Sequence, residues 1–139
     1  MLLKVKNINK SYKGSKSEDF MIFKNLDFVF DRENVVTIYG PSGIGKTTFL
    51  NMLGTVDLPN SGEIYLSGIK YSSENYQVLR KSHIGYMFQF HYLLPEFTIF
   101  ENLDLTLRIK GESSDKKIKN LIHEVLNDFK VVDKIDCYP

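Results

Sequence analysis

The stretch Val35-Val-Thr-Ile-Tyr39-Gly-Pro-Ser-Gly-Ile-Gly-Lys-Thr-Thr48 decides how the rest of the chain is read. Val35 to Tyr39 is short, β-branched and almost wholly apolar, the composition of a strand buried on both faces of a parallel sheet. Thr47 to Leu53 continues at helical spacing with Phe49, Leu50, Met52 and Leu53. Between them, Gly40 to Thr47 matches G-x-x-x-x-G-K-[ST], and the strand–loop–helix context separates a phosphate-binding loop from a chance string. Gly43 and Gly45 let the backbone curl into a nest of inward N–H groups, within a loop completed by Gly40, Pro41, Ser42 and Ile44. The helix adds its unsatisfied N–H groups and the positive end of its dipole. Lys46 is placed to reach the β- and γ-phosphates, Thr47 to ligate Mg²⁺, and Thr48 to lie near the α-phosphate. Nucleotide binding follows directly from these residues.

The remaining composition bounds the answer. With 139 residues the chain is one domain or part of one, 42% hydrophobic and 25% charged, an ordinary globular balance. A net charge of +1 implies no general attraction to nucleic acid. The single cysteine, Cys137, excludes an internal disulfide framework and fits a reducing compartment. Met1 to Lys10 alternates apolar and polar residues and does not resemble a signal peptide, and no apolar run approaches the ~18 residues of a membrane span. A cytosolic location is expected, with any membrane connection made through a partner.

Around the loop, Leu2–Ile8 reads as an edge strand and Phe20–Phe30 as a second, interrupted by a turn or bulge at Lys24-Asn25, with a polar loop from Tyr12 to Asp19 between them. Leu58–Gly62 is a turn, Glu63–Gly68 a strand, residues 74–81 a short helix, and His83–Phe88 another buried strand. Thr98 with Glu101 forms a capping box opening a helix that runs to about Ile109 and stops at Gly111. The next helix begins near Ser113 or Ser114 and puts Ile118, Leu121, Ile122, Val125, Leu126 and Phe129 on one stripe. The order implies an α/β core with a helical appendage.

The phosphate loop alone does not separate kinases, GTPases, helicases and transport ATPases. Its flanks resemble the ATP-binding cassette (ABC) family of transport ATPases over essentially the whole chain. Tyr12 stands where that family places an aromatic residue that stacks on adenine. Leu58-Pro-Asn-Ser-Gly-Glu-Ile-Tyr-Leu-Ser-Gly68 is similar to the family's turn and strand after the loop helix, and Ile84-Gly-Tyr-Met-Phe-Gln89 ends at the position of its Q-loop glutamine. The resemblance implies that Gln89 senses Mg²⁺ and the γ-phosphate and couples nucleotide state to a membrane partner. Gln89-Phe-His-Tyr-Leu-Leu-Pro-Glu-Phe-Thr-Ile-Phe-Glu-Asn-Leu103 is closest to the lipoprotein-releasing subgroup, with related macrolide-export and cell-division ATPases as alternatives. Residues Phe90, Tyr92, Leu93, Leu94 and Phe97 are a candidate docking surface for transmembrane subunits across Gln89–Phe100, with about half of them expected to pack internally instead.

The implied protein is therefore an α/β P-loop NTPase of ABC type. Residues 1–89 would hold the nucleotide-binding core with an antiparallel β subdomain, and 90–139 the Q-loop region and a partial helical subdomain. It would bind ATP and Mg²⁺, pair with a second ATP-binding subunit, and sit on the cytoplasmic face of the cell membrane.

In the family that the chain resembles, hydrolysis uses an acidic strand, a switch histidine and a serine-glycine-glycine signature, none of which occurs before Pro139. Leu26–Glu33 imitates the acidic strand but precedes the loop. The expectation is a piece ending before the signature, which binds ATP without hydrolysing it usefully, is marginally stable and tends to aggregate. Two rivals remain open: a non-hydrolysing nucleotide-binding module that regulates a transporter, and a small P-loop kinase. The kinase is disfavoured by having Arg32, Arg80 and Arg108 as its only arginines, none near the loop in sequence. His91 belongs to the subgroup pattern without a catalytic role, His83 and His123 have no metal-ligand spacing, and Asp115, Lys116, Lys117 and Lys119 read as a solvated helix face.

Overall fold

Local and cross-strand rules account for most of the elements in the computed structural model, which describes residues 1–14, 19–31, 35–90 and 92–139. His91, the middle of the polar loop, and Arg32 and Glu33 of the imitation acidic strand lie outside the described residues. The chain divides into two compact units, Met1–Gly85 and Tyr86–Pro139.

In the first unit, strands β1 (Leu3–Lys13), β2 (Asp19–Phe30), β3 (Ser61–Leu66) and β4 (Ile69–Lys70) form one antiparallel sheet in the order β2-β1-β3-β4. Strict alternation along β1 would send Leu3, Val5, Asn7 and Asn9 to one face. Instead Lys6 and Asn7 together oppose Asp27, between the pairs Val5–Phe28 and Ile8–Leu26. Asn7 takes φ 51° and its N–H donates to Asp27 Oδ1 at 3.0 Å. This bulge moves the phase by one residue. Leu3, Val5, Ile8 and Lys10 are consequently all buried. A second irregularity falls at Lys24-Asn25, as the sequence implied, with Asn25 at φ 51° and its N–H donating to Asn9 Oδ1 at 3.0 Å.

Helix α1 (Lys46–Leu53) buries Phe49 and Met52 among the apolar residues of this sheet. Phe49 meets Phe23 and Phe28 edge-on, with ring centroids 6.0 and 5.8 Å apart, the favoured geometry for aromatic pairs. Helix α2 (Tyr76–Ser82) adds Leu79 to the same core. The Tyr71 hydroxyl donates to Leu53 O at 2.7 Å and so satisfies a carbonyl at the end of α1. Burial, helped by neighbouring Tyr76, pushes that hydroxyl up to about 12, which keeps it a donor.

The second unit contains α3 (Ile99–Lys110), α4 (Asp115–Asp128) and a 3₁₀ turn at Val132–Lys134. Both halves of the Thr98–Glu101 capping box are present, and Gly111 ends α3 at φ 101°. Ser114 caps α4. The N–H groups of Ile99 and Phe100, orphans of the first turn, donate to Cys137 O and Ile135 O, each at 2.9 Å. Ile118, Ile122 and Leu126 form the core against Ile99, Phe100, Leu103 and Leu107.

Several sequence expectations need correction. Val35–Tyr39 and His83–Phe88 are not strands: neither has a ladder partner among the described residues, and a β run without one leaves its backbone groups to solvent. Val35 and Met87 are each 95% exposed. Only Ile84 of the second run packs against the first core. β1 runs on to Lys13 because it stays paired with β2, so Tyr12 lies in a strand opposite Phe20 and not in a loop. The α4 stripe is narrower than expected, with Val125 and Phe129 exposed, because α3 covers only the line of Ile118, Ile122 and Leu126.

The entry to α1 is closely packed. A Cβ on Gly45, at φ 105°, would stand 2.5 Å from Ile22 Cγ2 and 2.9 Å from Phe23 Cζ, whereas one on Gly43, at φ 81°, would meet nothing within 4 Å. Both alanine variants carry left-handed backbone strain of about 1 kcal/mol. Gly45→Ala adds a clash with β2 and is expected to lose at least ~2 kcal/mol, visibly more than Gly43→Ala. Parallel urea melts of the two variants check the order; equal losses would contradict the packing described.

Candidate functional site

The loop from Gly40 to Thr48 is built around the residues the motif implied. Left-handed Gly43 and Gly45 turn the chain, and Gly45 O accepts the first helical bond from Phe49 N–H at 2.8 Å. Helix α1 opens with no side-chain cap and no acidic residue in its first turn. Its leading N–H groups and dipole are thus left for a ligand. Ser42, Gly43, Gly45, Lys46, Thr47 and Thr48 line a cavity of about 310 Å³. Among the described residues no carboxylate lines it; one ammonium, hydroxyls and backbone donors do. That donor set fits a chain of phosphates.

Lys46 closes the loop on itself. Its Nζ donates to the carbonyls of Gly40 at 2.7 Å and Pro41 at 2.8 Å. Ile44 is 58% exposed and belongs to an adjoining apolar cleft with Val36, Ile38 and Phe49. Gln89 lies in the second unit, exposed in an irregular bend. Tyr12 lies in β1, where its hydroxyl donates to Asp57 Oδ2 and the Lys10 ammonium sits 4.5 Å from its ring centroid. Among the described residues no group of three or more His, Cys, Asp or Glu could hold a metal, and Thr47 lines the cavity of the loop. His83 caps the end of α2, and Asp115, Lys116, Lys117 and Lys119 are exposed as expected. No helix is long and apolar enough to cross a membrane.

Two features escaped the sequence reading. All five apolar residues Phe90, Tyr92, Leu93, Leu94 and Phe97 are exposed, from 39 to 69%, where half were expected inside. The core of this unit is filled by α3 and α4, leaving Phe88 and Tyr92 to stack edge-on at 5.0 Å. The other is Asn102, buried in the first turn of α3. Its Oδ1 accepts from Leu94 N–H at 2.8 Å, and its Nδ2 donates to the carbonyls of Leu94, Phe97 and Thr98 at 3.1, 3.0 and 2.9 Å. One amide thus fixes the turn that presents the apolar loop. An asparagine inside a capped helix, where it is a poor helix former, was the available signal. Asn102→Ala strands those groups and is expected to cost about 2 kcal/mol. Hydrogen exchange at the Leu94 amide should quicken while α4 amides keep their protection.

Comparison with known proteins agrees with this geometry. The sequence model of the ABC transporter family matches residues 23–137. The lipoprotein-releasing system ATP-binding protein LolD 1 of Chlorobium chlorochromatii is 38% identical over 141 residues, covering 99% of this chain and 57% of that protein. LolD of Buchnera aphidicola is 35% identical over 142 residues, covering all of this chain and 61% of that protein. The chain thus spans less than two thirds of the length of these relatives. Among solved structures, a dimeric ATP-binding cassette in a post-hydrolysis state, bound to ADP and Pi, superposes with a TM-score of 0.88 at 32% identity, covering 99% of this chain and 62% of that one. By sequence model, relatives and fold together, the chain belongs to the ABC transporter family.

Proposed function

We propose that this chain is the ATP-binding part of an ABC transporter ATPase that powers lipoprotein release or a related export process. One observation carries the reading: a carboxylate-free cradle at the start of α1, with Lys46 at its mouth. Backbone N–H groups at Gly43 and Gly45 hold phosphate oxygens, and Lys46 exchanges the Gly40 and Pro41 carbonyls for the β- and γ-phosphates. That exchange replaces two neutral acceptors by charged ones, which are roughly twice as strong. Thr48 lies beside the α-phosphate. Thr47 would hold Mg²⁺ and Gln89 would sense it, and the ion would supply positive charge to the phosphates. The open face of Tyr12 takes the adenine.

Complete relatives supply the rest of the proposal. In longer relatives ATP would be hydrolysed between two paired ATP-binding subunits, a reading supported by the dimeric solved cassette bound to ADP and Pi. The exposed aromatic and aliphatic residues between Gln89 and Phe100 dock transmembrane subunits, so the protein works peripherally on the cytoplasmic face of the membrane. The lipoprotein-releasing names of both relatives favour that cargo. Equilibrium titration of the chain with a fluorescent ATP analogue in Mg²⁺ tests the core of this reading. Lys46→Ala should weaken binding by at least about tenfold, the loss of a charge-assisted contact, and chelating Mg²⁺ should weaken the wild-type chain but change Thr47→Ala less. Unchanged affinity in Lys46→Ala would sink it.

A further inference from the structure

Behind Tyr12 lies a charged cluster that phosphate binding does not use. Lys10 is 6% exposed, brought inward by the bulge at Lys6-Asn7. Its Nζ donates to Asp57 Oδ1 at 2.7 Å and to Leu58 O at 2.8 Å, while standing 4.5 Å from the Tyr12 ring centroid. Asp57 is fully engaged: Oδ1 also accepts from Leu58 N–H at 2.7 Å, and Oδ2 accepts from the Tyr12 hydroxyl. Burial works to raise the Asp57 carboxyl, but the hydrogen bonds from Lys10, Tyr12 and Leu58 outweigh it and hold the group below the usual carboxylate range. The Asp57 backbone is itself tied to α1, since the N–H groups of Val56 and Asp57 donate to Asn51 O at 2.8 and 3.2 Å.

A buried lysine is costly unless it organises something. Here it backs one face of an aromatic ring that is otherwise 41% exposed. Tyr12 is therefore held at two points, ring face and hydroxyl, and the residue still keeps that part of its surface exposed. A ring fixed in advance loses little freedom when a flat ligand stacks on it.

We propose that Lys10 and Asp57 are positioning residues for base recognition: they lock Tyr12 as a one-sided stacking platform and tie it to the helix that carries the phosphate loop. This rests on the reading of Tyr12 as the adenine contact. The cluster should therefore matter for the base and not for the phosphates.

The test is calorimetric titration of the full chain with ATP and, separately, with inorganic tripolyphosphate, in Mg²⁺. Stacking worth about 1–3 kcal/mol per base makes the wild-type preference for ATP at least about fivefold. Tyr12→Leu should abolish most of it. Asp57→Asn, which keeps the shape, and Lys10→Met should each weaken ATP about three- to tenfold, leaving tripolyphosphate affinity unchanged. Added to Tyr12→Leu, neither should have a further effect. Equal losses for both ligands, or additive losses in the Tyr12→Leu background, would show a merely structural pair and overturn the proposal. Full ATP affinity in Asp57→Asn and Lys10→Met, with Tyr12→Leu impaired, would overturn it while leaving the adenine reading intact. Unchanged ATP affinity in Tyr12→Leu would remove that reading and the proposal together.

Discussion

The phosphate loop depends on a pair of aromatic contacts outside it. Phe49, one turn into α1, sits edge-on against Phe23 and Phe28 of the long hairpin. A helix of eight residues is far too short to hold itself together in water, so its place is set by tertiary packing. Phe49 and Met52 supply that packing, and Gly45 lets the first turn come down onto Ile22 and Phe23. The orientation of the helix N-terminus, and hence of the donors that make the cradle, is inherited from the β sheet. Nothing in the cradle itself is buried enough to do this.

The sheet exerts a second control through the bulge in β1. Asn7 at φ 51° uses one residue without a cross-strand partner, and every residue after it changes face. Ile8 then enters the core in place of Asn7, and Lys10 and Tyr12 follow at the strand period. Lys10 reaches the end of the apolar core, where Asp57 and Leu58 O meet it as the chain leaves α1. A single left-handed asparagine thus places an ammonium behind a tyrosine ring, and joins the first strand of the sheet to the segment that follows the phosphate loop.

How much of this was legible in the sequence follows from the range of the interactions involved. The phosphate loop, the Thr98–Glu101 box, the Gly111 stop and the irregularity at Lys24-Asn25 are decided by residues within about one turn of each other, and each was readable. Val35–Tyr39 and His83–Phe88 have the composition of buried strands, but a strand exists only with a partner, and pairing is not a local property. The burial of Lys10 was hidden for a related reason. Strict alternation puts it opposite Val5, and only the bulge brings the two to one face. Asn102 was quoted as part of a pattern, yet its four bonds to the preceding turn depend on how residues 94–98 return to the helix.

The state of Lys46 is the last consequence of this arrangement. The Lys46 ammonium stands near N–H donors and the positive end of α1, a repulsive setting for a cation. Folding back onto the Gly40 and Pro41 carbonyls, at 2.7 and 2.8 Å, removes that conflict. The same bonds hold the loop near the shape that the glycines at 43 and 45 impose. On the reading proposed above, Lys46 would exchange these carbonyls for phosphate oxygens without leaving the loop. The cost of binding falls on two exposed, neutral hydrogen bonds, a small loss beside a multiply charged ligand.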